Sequence, residues 1–319
     1  MGAALDTRAV VLEQPEKLVL STLPLTEPTA ADVVVEVYWS GISTGTERLL
    51  YTGAMPPFPG MGYPLVPGYE SVGRVVEAGP ESGRRAGDLV FVPGAACFGE
   101  VRGLFGGAAA RLVVPGQRVL EVDESLGERG VLLALAATAH HALAPRADAA
   151  PDLPDLVVGH GVLGRLIARI ALALGAPPPT VWETQPRRMQ GATGYPVVHP
   201  DDDARRDYRC ICDVSGDGDL LDTLISRLAR GGEIVLAGFY GKPLSFEFPP
   251  AFMRELRLRV ATEFQPSDLS ATRSLLAAGT LSLDGLVTHR APADDAADAY
   301  RIAFTDVDCL KMVLNWRQA

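Results

Sequence analysis

From Leu156 the chain reads as a short apolar strand, Leu156-Val157-Val158. It runs straight into Gly159-His160-Gly161-Val162-Leu163-Gly164 and then into a helix with the apolar stripe Leu163, Leu166, Ile167, Ile170, Ala171 and Leu174. No other feature restricts the fold as strongly. Between a strand and a helix each glycine of G-x-G-x-x-G has its own reason to be there. Gly159 permits the tight turn, Gly161 lets the backbone approach a pyrophosphate, and Gly164 lets the helix lie close on the strand. The helix N-terminus then presents unpaired N–H groups and the positive end of its dipole to the anion. A second strand ends at Glu183, about 20 residues beyond the last glycine, where a carboxylate accepts from ribose hydroxyls and repels a 2′-phosphate. NAD is therefore the expected cofactor. Its expected binding residues are Gly159, His160, Gly161, Val162, Leu163, Gly164, Glu183 and Arg188. Arg187 and Arg188 would suit a 2′-phosphate instead, and His160 faces either the pyrophosphate or solvent.

On both sides of this motif the pattern is consistent with two domains. Ala9–Leu12, Leu18–Ser21, Val33–Trp39, Ser71–Glu77, Asp88–Val92 and Ala109–Val114 are short β-branched runs bounded by Gly, Pro and Asp, which predicts a barrel-like β domain. The stretch Tyr51–Gly68 has too much Pro and Gly for a regular element and is expected to be a long loop or lid. Ser125 and Glu128 form a capping-box pattern ahead of a buried helix over Val131–Leu143. From Asp155 strands and helices alternate, predicting a parallel doubly wound sheet. Helices over Leu269–Ala278 and Ala293–Phe304 and a final run Leu310–Trp316 are expected to return to the first domain. The expected boundaries are 1–134 with 267–319 for the barrel and 135–266 for the α/β domain.

With 39 acidic and 29 basic residues, a formal charge of −10, the chain lacks a nucleic-acid footprint. Cys97, Cys210, Cys212 and Cys309 form no C-x-x-C pair and no secreted framework, so reduced thiols and a cytoplasmic setting are expected. Charges interrupt the apolar runs near the N-terminus, and no apolar stretch reaches the length of a span. Neither a signal peptide nor stable membrane insertion is expected.

Several motifs resemble those of the medium-chain dehydrogenase/reductase superfamily. Gly41-Ile42-Ser43-Thr44 stands where its zinc alcohol dehydrogenases carry G-[IV]-C-x, and Pro67-Gly68-Tyr69-Glu70-Ser71-Val72-Gly73 resembles P-G-H-E-x-x-G. Gly87-Asp88-Leu89-Val90, Thr138-Ala139-His140-His141-Ala142-Leu143 and the run Gly231–Gly238 agree as well. The resemblance implies an α/β protein with a GroES-like β-barrel catalytic domain and a Rossmann nucleotide-binding domain. At the catalytic zinc positions, however, Ser43 replaces Cys, Tyr69 replaces His and Ala134 replaces the third ligand, leaving Glu70 alone. A catalytic zinc takes three protein ligands, so no metal is expected. The clustered cysteines of the structural-zinc lobe are missing too, with Cys97–Gly107 in their place. Longer segments, among them SGISTGTERLLYTG, MPPFPGMGYPLVPGYESVGRVVEAG and FVPGAACFGEVRGLFG, are similar to the bacteriochlorophyllide a dehydrogenase family. That resemblance implies NAD-dependent oxidation of the C3 1-hydroxyethyl group of a magnesium-containing chlorophyllide to 3-acetyl. It is compatible with a homodimer.

Without zinc, a side chain must take the hydroxyl proton or hydrogen-bond the developing alkoxide within about 3 Å. Tyr69 is a base only if positive charge lowers its pKa, and otherwise fills space. Glu70, Ser43, Thr44 and Thr46 are candidates for a relay, with Glu70 pairing with a buried arginine as the other reading. His140 and His141, pointing in different directions on a helix, leave one of the two, His140 first, as a general base. Met55, Phe58, Met61 and Tyr63 offer either a surface for a flat macrocycle or a rigid lid. Arg48, Arg102 or Arg111 could meet its propionate. Two other functions fit the same scaffold: a zinc-free NADPH-dependent enone or quinone reductase, and a non-catalytic tetrapyrrole carrier.

Overall fold

The computed structural model describes residues 5–57, 59–144 and 153–317; Phe58 lies outside them. The chain divides into two compact units, Met1–Ala134 with Leu286–Ala319, and Leu135–Gly285. The C-terminal return therefore begins at Leu286, later than the expected 267.

The first unit opens with an antiparallel hairpin of β1 (Asp6–Gln14) and β2 (Lys17–Pro24). The long strand β3 (Asp32–Ile42) is followed by a short helix α1 (Thr46–Thr52), which periodicity alone did not suggest because it spans under two turns. Next come β4 (Ser71–Ala78), β5 (Leu89–Val92), β6 (Arg111–Pro115) and β7 (Leu120–Glu121). The Val33–Val35 stretch of β3 is buried on both faces, so its outward side is covered as well as the side facing the barrel interior. A short 3₁₀ segment, Glu124–Leu132, then leads to α2 (Leu133–Leu143). The expected Ser125/Glu128 box does not form: Asp123 takes the N-cap, accepting from the Ser125 amide at 2.8 Å.

The second unit contains β8 (Leu156–Val158), α3 (Val162–Ala173), β9 (Thr180–Trp182), β10 (Val197–Val198) and β11 (Tyr208–Asp213). It continues with α4 (Leu221–Arg227), β12 (Leu228–Leu236), α5 (Phe248–Met253), β13 (Arg257–Val260) and α6 (Pro266–Ala277). Its six strands are all parallel in the order β10-β9-β8-β11-β12-β13. Numbered within the unit this is 3-2-1-4-5-6, the doubly wound dinucleotide-binding order, whose crevice opens at the carboxyl end of its first strand. The glycine motif follows that strand.

β14 (His289–Pro292), α7 (Ala296–Thr305) and β15 (Met312–Asn315) complete the first unit. β15 pairs antiparallel with β3, placing Met312 opposite Ile42, and extends the barrel sheet to β14-β15-β3-β4-β5-β7. That register brings Lys311 to the end of β3.

Candidate active site

On the doubly wound unit, Gly159 sits at φ 103°, a conformation glycine adopts without strain. A Cβ on Gly164 would lie 1.9 Å from the Gly159 carbonyl oxygen, so the protein's own packing requires that glycine. A Cβ on Gly161 would meet nothing within 4 Å, and its φ of −73° suits any residue. Nothing in the chain asks for glycine there, whereas a closely approaching ligand does. Gly161 caps α3 without a side-chain hydrogen bond, so Val162, Leu163 and Gly164 open the helix with first-turn amides of the kind that bind anions. These residues fit the pyrophosphate of a dinucleotide.

His160 faces neither pyrophosphate nor solvent, which corrects both readings of it. The residue is fully buried. Its ring Nδ1 lies 2.6 Å from the Arg188 carbonyl and its Nε2 lies 3.0 Å from the Tyr195 hydroxyl. Its amide donates to Glu183 at 3.2 Å and its carbonyl accepts from Arg165 Nε at 3.0 Å. Burial pushes the imidazole down to about 4, so it is neutral at physiological pH. Glu183 also accepts from the amides of Thr184 and Gln185, each at 2.8 Å. It thus ties the glycine turn to the end of β9 in addition to any ribose contact. Arg188 contributes its carbonyl, shared by His160 and by Arg165 Nη2 at 3.0 Å.

On the barrel unit the Tyr69 hydroxyl donates to Ser43 Oγ at 2.8 Å, with Thr46 also bonded to Tyr69. The Ser43 amide donates to Glu47 Oε1 at 2.9 Å, and the Tyr300 hydroxyl, from α7, donates to Glu47 Oε2 at 2.6 Å. Lys311 Nζ donates to Glu70 Oε2 at 2.6 Å and to the Ile42 carbonyl at 3.2 Å. Glu47, Glu70 and Lys311 are all essentially inaccessible to solvent. Gly41 makes room, because a Cβ there would sit 2.3 Å from Glu70 Oε2.

Several expectations change here. Glu70 pairs with a lysine, not an arginine, and its second oxygen, Oε1, has no partner among the described residues. Burial and the nearby Glu70 push the Tyr69 phenol above its ordinary value, so Tyr69 holds its proton and acts as a donor, not a base. Thr44 is half-buried and makes no side-chain hydrogen bond among the described residues. Burial raises Glu47 to about 7, against the opposing bonds from Tyr300 and Ser43. Sequence reasoning missed both Glu47 and Lys311. For Lys311 a signal existed: a lone cation in the apolar run Leu310–Trp316 has to be buried beside an anion.

His140 and His141 do not diverge; their Nδ1 atoms each lie 2.8 Å from a different oxygen of Asp268. Asp268 is also N3 of α6, in a reciprocal cap with Gln265. The pair ties α2 to α6 within one unit. Met55 is buried against Leu12, Leu50 and Leu65, while Met61 and Tyr63 pack on the same cluster, and the Tyr63 hydroxyl donates to the Leu50 carbonyl. This favours a rigid loop.

The donor set does not fit zinc. Ser43 and Tyr69 offer protonated hydroxyls bonded to each other, Ala134 offers none, and Glu70 is neutralised by Lys311. A catalytic zinc needs three deprotonated N, S or O donors.

The alcohol dehydrogenase GroES-like domain family matches residues 29–124. The chain is 58% identical over 316 residues to the 2-desacetyl-2-hydroxyethyl bacteriochlorophyllide A dehydrogenase of Rhodobacter capsulatus, covering 99% of this chain and 100% of that protein. It is 59% identical to the protein of the same name from Cereibacter sphaeroides, covering 98% of each. Among solved structures, an Escherichia coli CFT073 alcohol dehydrogenase complexed with NADH aligns at TM-score 0.80 and 19% identity, covering 98% of this chain and 100% of that one. A Sinorhizobium meliloti 1021 dehydrogenase bound to NADP aligns at TM-score 0.80 and 22% identity, covering 98% and 99%. These distant neighbours establish the shared fold.

Two predictions follow from the geometry. Gly164→Ala is expected to lose about 2 kcal/mol or more of stability, because backbone must move. Gly161→Ala should unfold like wild type yet bind NADH at least about tenfold more weakly. Thermal unfolding and NADH fluorescence titration measure both, and equal NADH affinity in Gly161→Ala would remove that glycine from the site. The second concerns Glu47, whose folded pKa of about 7 lies above the ordinary carboxyl value of 4.5. A raised carboxyl pKa means the folded state binds the proton more tightly, so its stabilising effect is full below about 4.5 and lost as pH rises through 7. Glu47→Gln should therefore gain stability relative to wild type between pH 5 and pH 8, by up to about 3 kcal/mol. Urea midpoints at the two pH values test this, and a pH-independent difference would refute it.

Proposed function

Because the chain belongs to the bacteriochlorophyllide a dehydrogenase family of the medium-chain dehydrogenase/reductase superfamily, we propose that it transfers a hydride from the C3 1-hydroxyethyl carbon of a chlorophyllide-type pigment to NAD⁺ without a protein-bound zinc, the hydroxyl proton being released to water. The near-full-length match to two enzymes named for the hydroxyethyl pigment carries the substrate assignment. The protein is an oxidoreductase of the alcohol dehydrogenase type. A nicotinamide cofactor agrees with the open cradle at Gly161, and the preference for NAD rests on Glu183 at the end of β9. With three amides on its roughly four lone-pair positions, Glu183 retains capacity for one ribose hydroxyl, and its charge opposes a 2′-phosphate.

The bound nicotinamide supplies the hydride acceptor. The barrel residues supply what a metal would otherwise do for the oxygen. Tyr69 and Ser43 form a pair of hydroxyls, and because Tyr69 keeps its proton, the pair can hydrogen-bond an oxygen as negative charge develops on it. Lys311 cancels the charge of Glu70, which would otherwise repel that oxygen. Glu47 holds the Ser43 amide and so fixes where Oγ points. The magnesium of the pigment belongs to the substrate.

NADH formation from NAD⁺ and hydroxyethyl bacteriochlorophyllide, in protein freed of metal by a chelator, tests the reading. Activity should persist, and Tyr69→Phe should lower kcat about 100-fold, the usual effect of removing one oxyanion donor. Loss of activity on chelation with recovery on adding Zn²⁺ would overturn the zinc-free mechanism, and a Tyr69→Phe kcat near wild type would make the tyrosine a space filler.

A further inference from the structure

We propose that Arg102, seated on Gly62 in the segment that carries Phe105, binds the propionate carboxylate of the pigment and thereby selects which edge of the macrocycle reaches Tyr69 and Ser43; the proposal rests on the functional reading above. The Arg102 backbone is pinned on both sides. Its amide donates to the Pro64 carbonyl at 3.1 Å, and its carbonyl accepts from the Val66 amide at 2.8 Å. Its side chain lies across Gly62, where a Cβ would fall 2.7 Å from Nε and 2.9 Å from Cζ. The residue is exposed, and among the described residues no carboxylate pairs with its guanidinium, whereas Arg74 and Arg290 of the same unit are paired with Glu124 and Glu128.

Three residues further on, Phe105 is a non-glycine residue at φ 72°. Bulky side chains rarely adopt this left-handed region, and residues held there cluster at ligand sites. Two backbone hydrogen bonds, Ala95 amide to Phe105 carbonyl and Gly106 amide to Val66 carbonyl, each 3.0 Å, hold it. Close backbone approach locks the segment further: a Cβ on Gly94 would lie 1.9 Å from the Phe105 carbonyl oxygen, and one on Gly106 1.9 Å from that of Ala95. The Phe105 ring lies 5.0 Å from the Tyr69 ring, tilted at 56°. Phe105 therefore links Tyr69, which its ring packs against, to a cation three residues back, at most about 10 Å of extended chain away. A flat aromatic acid whose alcohol and carboxylate lie on different edges matches that layout. Of the arginines at 48, 102 and 111, only Arg102 shares the Phe105 segment.

The test compares hydroxyethyl bacteriochlorophyllide with its propionate methyl ester, by kcat/KM and by fluorescence titration of binding. Wild type should favour the free acid by about tenfold or more, the size of a charge-assisted hydrogen bond. In Arg102→Gln the acid-to-ester ratio should fall to near one. Gly62→Ala, whose added methyl group displaces the guanidinium, should lower the ratio in the same direction. A ratio that survives in an active Arg102→Gln overturns the subsite and leaves the dehydrogenase reading standing. Failure of wild type to bind or oxidise either pigment overturns both.

Discussion

The ion pair between Glu70 and Lys311 is the interaction on which the barrel site depends. An unpaired carboxylate in this position would be heavily penalised by desolvation. Lys311 Nζ, 2.6 Å from Glu70 Oε2, offsets part of that penalty. The cation reaches Glu70 only because β15 pairs with β3 in a register that sets Met312 against Ile42. It has room only because Gly41 lacks a Cβ that would strike the carboxylate. A strand from the C-terminal end of the chain, a glycine of β3 and a carboxylate ahead of β4 are thus bound into one electrostatic requirement. Removing either charged partner would leave the other buried and uncompensated, a loss of the order of 3–5 kcal/mol.

The doubly wound unit solves a similar problem with dipoles. Arg165 is buried, and its hydrogen bonds run to the carbonyls of His160, Arg188 and Gln190. Glu183 is buried too, and its bonds come from the amides of His160, Thr184 and Gln185. Both charges meet at His160, whose own polar groups are all bonded. The glycine turn is consequently set before any ligand arrives, a form of pre-organisation that lowers the ordering cost of binding an anion there.

What could be read in the sequence was local. The glycine spacing, the strand before it and the stripe after it lie within twenty residues of one another; Gly159 and Gly164 answer demands of nearby backbone, and Gly161 that of a ligand. The alternation that follows specified a parallel sheet, and the β-branched runs of the first third became β1 to β6. What escaped notice depended on distant partners. Glu47 meets Tyr300 and Glu70 meets Lys311 across most of the chain, and no spacing rule covers such separations. His140 and His141 were expected to diverge because neighbouring helical side chains do, yet both reach the two oxygens of Asp268, which the cap of α6 holds between them. The Ser125/Glu128 pattern failed for a local reason, since Asp123 takes the Ser125 amide that the Glu128 side chain would have accepted from.

On the zinc-free reading proposed above, hydroxyls take the place of a metal, and that changes what the surroundings must do. Zinc brings positive charge to an alkoxide whatever its neighbours are; a Tyr–Ser pair brings only dipoles, whose worth depends on how little negative charge lies nearby. Glu70 is cancelled by Lys311, which leaves Glu47 as the variable charge in the cluster, poised at about 7 by its burial. When Glu47 is protonated, the Tyr69 and Ser43 dipoles act on a developing oxyanion without an opposing carboxylate. When it ionises, the same dipoles work against a charge held beside them by the Ser43 amide. On that reading, the chemistry at the oxygen is coupled to a carboxyl that need not touch the substrate. Tyr300, by donating to Glu47 Oε2, holds that pKa lower than burial alone would set it.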